Sequence, residues 1–174
     1  NNNRFEVLLI GPESLLRETA HRMSNNGLAY RIVNATQVIA MHDEAMAEVK
    51  QKKDSSIAVG ISLHKEGQAD AFVSAGHTGA VMSASTLILG RIEGVGRPTI
   101  GAFFPSESGV CLLHDAGANV ECKPQHLYEF AVMGSIYTRE MMNVANPTIG
   151  LLSIGEESSK GNNVILDTYQ LLSK

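Results

Sequence analysis

Apolar and polar positions fall in blocks along the chain, and the period changes from block to block. Residues 5–10 form a largely apolar run closed by Gly11-Pro12, the pattern of a buried strand. Pro12 suits a helix start, and Leu15, Leu16, Thr19 and Met23 then recur on one helical face until Asn26-Gly27 stops it. Residues 30–33 read as a short second strand. Residues 42–53 predict a helix with Asp43 and Glu44 near its positive end and Lys50, Lys52 and Lys53 near its negative end. Asp54-Ser55-Ser56 then cap a helix over 56–66 that Gly67 ends.

Residues 71–74 read as a strand and 78–91 as a helix rich in Ala, Ser and Thr. Such small side chains let a helix lie close to a sheet, so this one is expected to be buried. Residues 99–104 and 110–114 read as strands. Residues 124–142 predict a long amphipathic helix with Leu127, Phe130, Ala131, Gly134, Tyr137 and Met141 as its inner stripe. A strand over 148–154 and a helix over 162–172 complete the order. Alternating strands and helices predict an α/β fold, a three-layer α/β/α arrangement with a mostly parallel sheet covered on both faces. Residues 1–174 are expected to form a single α/β domain, and the last helix, lacking a closing signal, points to an incomplete chain.

Composition narrows the function. Fourteen Lys and Arg against eighteen Asp and Glu give a net charge of −4 with no strongly basic tract, which argues against a nucleic-acid footprint. Aromatic residues are scarce at 5% and Trp is absent, which disfavours stacking platforms. Cys111 and Cys122 are too few for a disulfide framework, and a reducing, cytoplasmic compartment is the simpler expectation. Cys111, inside an apolar strand, reads as a core thiol. No apolar run approaches membrane-spanning length, and the residues after Asn1 lack a signal-peptide core.

Twelve of the sixteen glycines lie at or after Gly76, and they gather in the loops that follow strands. In a parallel sheet, ligands bind outside the carboxyl ends of strands. The loops there are Ser74-Ala75-Gly76-His77-Thr78-Gly79, Asp115-Ala116-Gly117-Ala118-Asn119-Val120, and Gly155-Glu156-Glu157-Ser158-Ser159-Lys160-Gly161-Asn162. Glycine allows close backbone approach to a ligand, and a helix start adds free N–H donors and partial positive charge. Together they suit an anion, most naturally phosphate, with Lys160 as a full charge beside it. Ser74, Gly76, Thr78, Gly79, Asp115, Gly117, Glu156, Gly161 and Asn162 are therefore candidate phosphate or substrate contacts, and His77, Asn119 and Lys160 candidate catalytic groups. Glycine turns also form for packing alone. His77 is placed either to donate to phosphate or to cap the next helix, and Asp115 either to orient a ligand or loop or to act as a cap. Dinucleotide, P-loop and serine-hydrolase motifs are absent, and the histidines share no zinc-ligand spacing, so no metal site is expected.

From roughly Asp54 to Asn162 the chain resembles the bacterial PlsX family, the phosphate acyltransferases of phospholipid synthesis. The residues that carry the resemblance include Lys52-Lys53-Asp54-Ser55-Ser56, Ala69-Asp70-Ala71-Phe72-Val73-Ser74-Ala75-Gly76-His77-Thr78-Gly79-Ala80, and Gly90-Arg91-Ile92-Glu93-Gly94 with Arg97-Pro98. Asp115-Ala116-Gly117-Ala118-Asn119-Val120, Lys123-Pro124-Gln125-His126-Leu127, Met133-Gly134-Ser135 and Gly150-Leu151-Leu152-Ser153-Ile154-Gly155-Glu156-Glu157 with Lys160-Gly161-Asn162 follow in order. The region before Asn34 is similar only loosely, and His77 stands where the family usually carries Asn. Measured against the family, an opening strand is missing ahead of Asn1 and a second half after Lys174.

The resemblance implies a transferase that moves a long-chain acyl group from acyl carrier protein to inorganic phosphate, giving acyl-phosphate. A membrane glycerol-3-phosphate acyltransferase would consume that product in phosphatidic acid synthesis. It also implies a fold similar to isocitrate dehydrogenases and phosphotransacetylases, a homodimer, no cofactor, and a cytoplasmic enzyme peripheral to the membrane. Arg91, Arg97 and Lys123 are candidates for docking the acidic carrier protein. Two other functions compete: a phosphotransacetylase-like enzyme using acyl-CoA or a related dehydrogenase, and a non-catalytic module that docks the carrier protein.

Overall fold

In the computed structural model, which describes residues 5–23, 28–107, 109–155, 157 and 160–174, the first strand, β1, is Val7–Gly11. It pairs in parallel with β2 (Tyr30–Asn34), Leu9 opposite Ile32. Between them runs α1 (Glu13–Arg22), which opens at Pro12 as its fixed φ favours. The expected stop at Asn26-Gly27 lies outside the described residues.

The next helix, α2 (Ala45–Gln51), starts later than the charge pattern predicts. Glu44 is its N-cap, accepting the N–H groups of Met46 and Ala47 at 3.1 and 2.8 Å. Asp43 closes the preceding loop by accepting the Ala40 N–H, so it does not join the helix. Ser55 caps α3 (Ser56–Lys65) through the Ala58 N–H, as its hydroxyl suits it to do. The small-residue helix is α4 (Thr78–Ile88), and Ala80, Ser83 and Ala84 are buried. It packs on α2 and α3, not on a sheet. Ile39, Val49, Ile57, Ile61, Ala80 and Ala84 form the core there, with Phe72 against them.

The expected strand over 71–74 is absent. Phe72 packs on the core while Val73 is 91% exposed, and no neighbouring backbone among the described residues pairs with the segment. A strand needs a partner ladder as well as apolar side chains. The same holds for 148–154, where Leu152 and Ile154 stay exposed outside any strand.

β3 (Gly101–Ser106) and β4 (Gly109–His114) pair antiparallel, so the strands of the described residues form one parallel and one antiparallel pair. Cys111 is exposed on this hairpin, not a core thiol, because β4 has no covering layer over that position. α5 (Pro124–Met142) has the expected bounds, but only the first half of its stripe is sheltered. Phe130 is buried, whereas Tyr137 is exposed against Phe103, with ring centroids 6.1 Å apart, and Met141 faces solvent. α6 (Asn163–Leu172) packs on α5. The described residues hold both helices and strands, consistent with an α/β chain, but they alternate only from β1 to β2; α2, α3 and α4 then follow one another. The chain forms two compact units, Asn1–Gly90 and Arg91–Lys174. Among the described residues, no helix is long and apolar enough to cross a membrane.

Gly60 shows how closely the first unit is packed. A Cβ built there meets the Phe72 ring at 2.3 Å and Ile10 Cδ1 at 3.0 Å. Gly60→Ala is expected to destabilise this unit by about 1–3 kcal/mol through overpacking, measured by urea unfolding.

Candidate functional site

In the second unit, β4 delivers the chain into the 115–119 turn, and Asp115 organises it. Its backbone is left-handed (φ 64°), a region Asp tolerates better than most residues, and Gly117 follows at φ 87°. Asp115 Oδ1 accepts the Asn119 N–H at 3.0 Å and the Asn119 side-chain amide at 2.9 Å. The same amide donates to the Pro98 carbonyl at 3.2 Å. Cys122 Sγ donates to Asp115 Oδ2 at 3.6 Å; burial is the first cause that pushes its thiol pKa up, and the Asp115 charge adds to it. Ala116 and Gly117 donate to the carbonyls of Ile100 and Asp115. Three of the turn's backbone donors, those of Ala116, Gly117 and Asn119, are therefore already used. Both amide hydrogens of Asn119 are committed, and the group it presents outward is its acceptor oxygen.

The 160–162 turn is arranged differently. Asn162 caps α6, its Oδ1 accepting the Ile165 N–H at 3.0 Å. Among the described residues, the N–H groups of Asn163 and Val164 have no partner, as is usual for a first helical turn. Gly161 has φ 109°, and a Cβ there meets Ser153 Oγ at 3.0 Å and Ile165 at 3.1 Å, so a side chain is excluded on two counts. Lys160 is exposed beside this helix start. Asp115, Asn119, Cys122, Leu127, Asn162 and Ile165 line one open cleft of about 490 Å³. A second, mostly apolar depression of about 760 Å³ lies against Leu152, Ile154, Gly161 and Ile165. Two of the three expected turns thus share a cleft. Glu156 lies outside the described residues.

The 74–79 turn belongs to the first unit. Ser74 Oγ accepts the Gly76 N–H at 3.1 Å. His77 is the N-cap of α4, its Nδ1 accepting the Ala80 N–H at 3.3 Å, while Nε2 lies 3.1 Å from the Asp43 carbonyl. Both ring nitrogens are engaged, so of the two placements open in the sequence the geometry is that of the cap. Among the described residues, the backbone N–H groups of Thr78 and Gly79 have no partner. A Cβ on Gly79 meets Ala45 Cβ at 3.3 Å, which keeps this helix start close to α2.

Of the docking candidates, Arg91 donates to the Gly96 carbonyl and Arg97 to the Glu121 carbonyl at 2.6 Å, while Lys123 is exposed at the start of α5. Arg97 therefore ties the segment ahead of β3 to Glu121, which lines the cleft. Sequence reading missed Cys122 as a partner of Asp115, and Asp43 as the seat of His77; the second contact spans 34 residues and leaves no local signal. His114, the residue before the turn, has both ring nitrogens buried without a partner among the described residues, and burial lowers its pKa. Gly134 of α5 lies against its ring, where a Cβ would meet Cδ2 at 2.9 Å.

Asp115→Ala is expected to cost about 2–4 kcal/mol in urea unfolding, since it removes the carboxylate and forces a left-handed alanine. Asp115→Asn keeps an acceptor and tolerates the backbone, so it costs less than half as much. Acid acts on the two units at different pH. His114 is held neutral by burial, so its contribution is present above its ordinary 6.5 and is lost as pH falls below it. The backbone bond from Ala40 and then the Lys52 contact lower the Asp43 pKa, and the Thr36 side-chain and backbone bonds lower that of Asp54. Their stabilisation is present above 3.8 and is lost as pH falls through the lower folded values. Along an acid titration, amide protection, taken relative to the intrinsic exchange rate at each pH, should therefore fall in β4 and α5 before it falls in α3.

A family profile described as "Fatty acid synthesis protein" matches residues 1–174. A phosphate acyltransferase of Elusimicrobium minutum is 50% identical over 171 residues, 98% of this chain and 50% of its own length. One from Desulforudis audaxviator is 47% identical over 170 residues, with the same shares, and one from Herpetosiphon aurantiacus is 41% identical over 169, covering 46% of its length. The chain spans about half the length of the curated relatives it matches. On a match that runs from its first residue to its last, this chain belongs to the PlsX family of fatty acid synthesis proteins.

Proposed function

We propose that this chain carries the phosphate-holding part of an acyltransferase that moves a long-chain acyl group from acyl carrier protein to inorganic phosphate, giving acyl-phosphate for phosphatidic acid synthesis. The observation that carries the reading is the cleft shared by Asp115, Asn119 and Asn162 at the open start of α6. The relatives' printed name, phosphate acyltransferase, supports the same chemistry.

In this reading Lys160 and the free N–H groups of Asn163 and Val164 hold the dianion. Asp115 and Asn119 keep the facing turn rigid, and Ser74, Gly76, Thr78 and Gly79 offer a second open helix start. Gly117 and Gly161 supply the backbone shapes, and His77 serves as a cap. Glu156 is kept as a candidate substrate contact from its place in the sequence. Phosphate is anionic near neutral pH and needs no strong base. One of its oxygens bonds to the thioester carbonyl carbon. The carbon–sulfur bond then breaks, and the thiolate leaves with the electron pair and takes a proton from solvent. Holding the two reactants about 3–3.5 Å apart is worth on the order of 7–11 kcal/mol. No acyl-enzyme is formed. The apolar depression beside Leu152 and Ile154 suits an acyl chain.

The finer fold in this reading is the three-layer arrangement of isocitrate dehydrogenases and phosphotransacetylases, in a homodimer peripheral to the cytoplasmic membrane face. Arg91, Arg97 and Lys123 form its carrier-docking side, and no cofactor takes part. The test is acyl-phosphate formation from palmitoyl-carrier protein, with acetyl-CoA as the competing donor. Lys160→Gln is expected to raise the phosphate KM roughly ten- to hundredfold, the loss of one charge-assisted contact of about 1.5–3 kcal/mol, with kcat less affected. Turnover of acetyl-CoA alone, or a covalent acyl-enzyme seen by mass spectrometry, defeats the reading.

A further inference from the structure

The loop ahead of α2 is held by an ion pair whose far side touches the 74–79 turn. Lys52 Nζ donates to the Val38 carbonyl at 2.9 Å and to Asp43 Oδ2 at 3.1 Å, and it pairs with Glu48 at 2.5 Å. Asp43 Oδ2 also accepts the Ala40 N–H at 2.8 Å, and the Asp43 N–H returns to the Ala40 carbonyl at 3.1 Å. Both side chains are mostly sheltered, Asp43 18% and Lys52 30% exposed. The loop closed in this way aims the Asp43 carbonyl at His77 Nε2.

A carbonyl only accepts, so Nε2 must carry the proton. The Ala80 N–H only donates, so Nδ1 must be bare. A single neutral tautomer satisfies both contacts. If the proton moves to Nδ1, the carbonyl faces a lone pair and the Ala80 N–H faces another hydrogen. The cap is then lost, and with it the shape of the turn that presents the Thr78 and Gly79 N–H groups.

We infer that Asp43 and Lys52 are positioning residues, holding His77 in its Nε2–H form so that it caps α4 and keeps the 74–79 turn open to an anion. This rests on reading that turn as part of the phosphate-holding machinery, and it adds two residues remote in sequence that act through the imidazole. Neither touches substrate.

The test uses the whole chain, labelled with ¹⁵N, in mildly alkaline buffer. Imidazole spectra of the wild type should show His77 protonated at Nε2 and bare at Nδ1. Lys52→Met should mix the two tautomers and speed amide exchange at Ala80 roughly tenfold, the loss of one N-cap bond, while Ile61 in α3 exchanges as before. Lys52→Arg, which still reaches the Val38 carbonyl and Asp43, should restore the wild-type ring signals. His77→Asn, a short side chain with its own cap acceptor, should keep Ala80 protected. A wild-type ring protonated at Nδ1 overturns the inference. So does Lys52→Met with unchanged ring signals, or with exchange raised equally at Ala80 and Ile61. Inorganic phosphate added to the wild type reports separately on the turn. If the Thr78 and Gly79 amides do not shift, the phosphate reading of that turn fails, while the ring signals still decide what sets the tautomer.

Discussion

A backbone N–H that already donates within its own turn has nothing left to offer an oxyanion. This accounting governs what each glycine turn of the chain can do. In the 115–119 turn the donors of Ala116, Gly117 and Asn119 are spent on carbonyls and on Asp115. At the starts of α4 and α6 the first donors stay unpartnered among the described residues, because helix geometry gives them no intrahelical acceptor. Open backbone donors therefore remain at these two helix starts, each within its own unit.

Side-chain caps make that division possible. Asn162 and His77 each satisfy one donor three residues on and leave the earlier donors open. Ser55 does the same at α3, where it is buried, while Glu44 accepts two donors, those of Met46 and Ala47, at the start of α2. The same local device thus builds the core in one place and frames a candidate site in another. At α6 the helix start lies at a cleft, which Asn162 and Val164 line.

Packing in the first unit depends on small residues at contact points. Gly60 lets Phe72 and Ile10 close over α3, and Ala80 and Ala84 let α4 settle between α2 and α3. Those contacts use up the small-residue face of α4. In the second unit Gly134 brings α5 onto the ring of His114 in the same way, and there the approach buries an imidazole without giving it a partner among the described residues.

Local periodicity and cap chemistry were legible in the residues: Pro124 opens α5, Ser55 caps α3, and Asn162 marks the start of α6, each through contacts within a few positions. The three glycine-rich turns were legible for the same reason, and so was the family. Strands over 71–74 and 148–154 were not decided by their apolar pattern, because pairing needs a neighbour that the pattern does not name. Nor did the sequence decide how the polar side chains are committed. His77 meets Asp43 across 34 positions, Arg97 meets Glu121 across 24, and Asn119 meets Pro98 across 21. By itself the sequence determined which residue types stand at the turns. Only the tertiary structure decided which hydrogen-bonding groups are already used, because that depends on distances between segments the chain brings together only when folded.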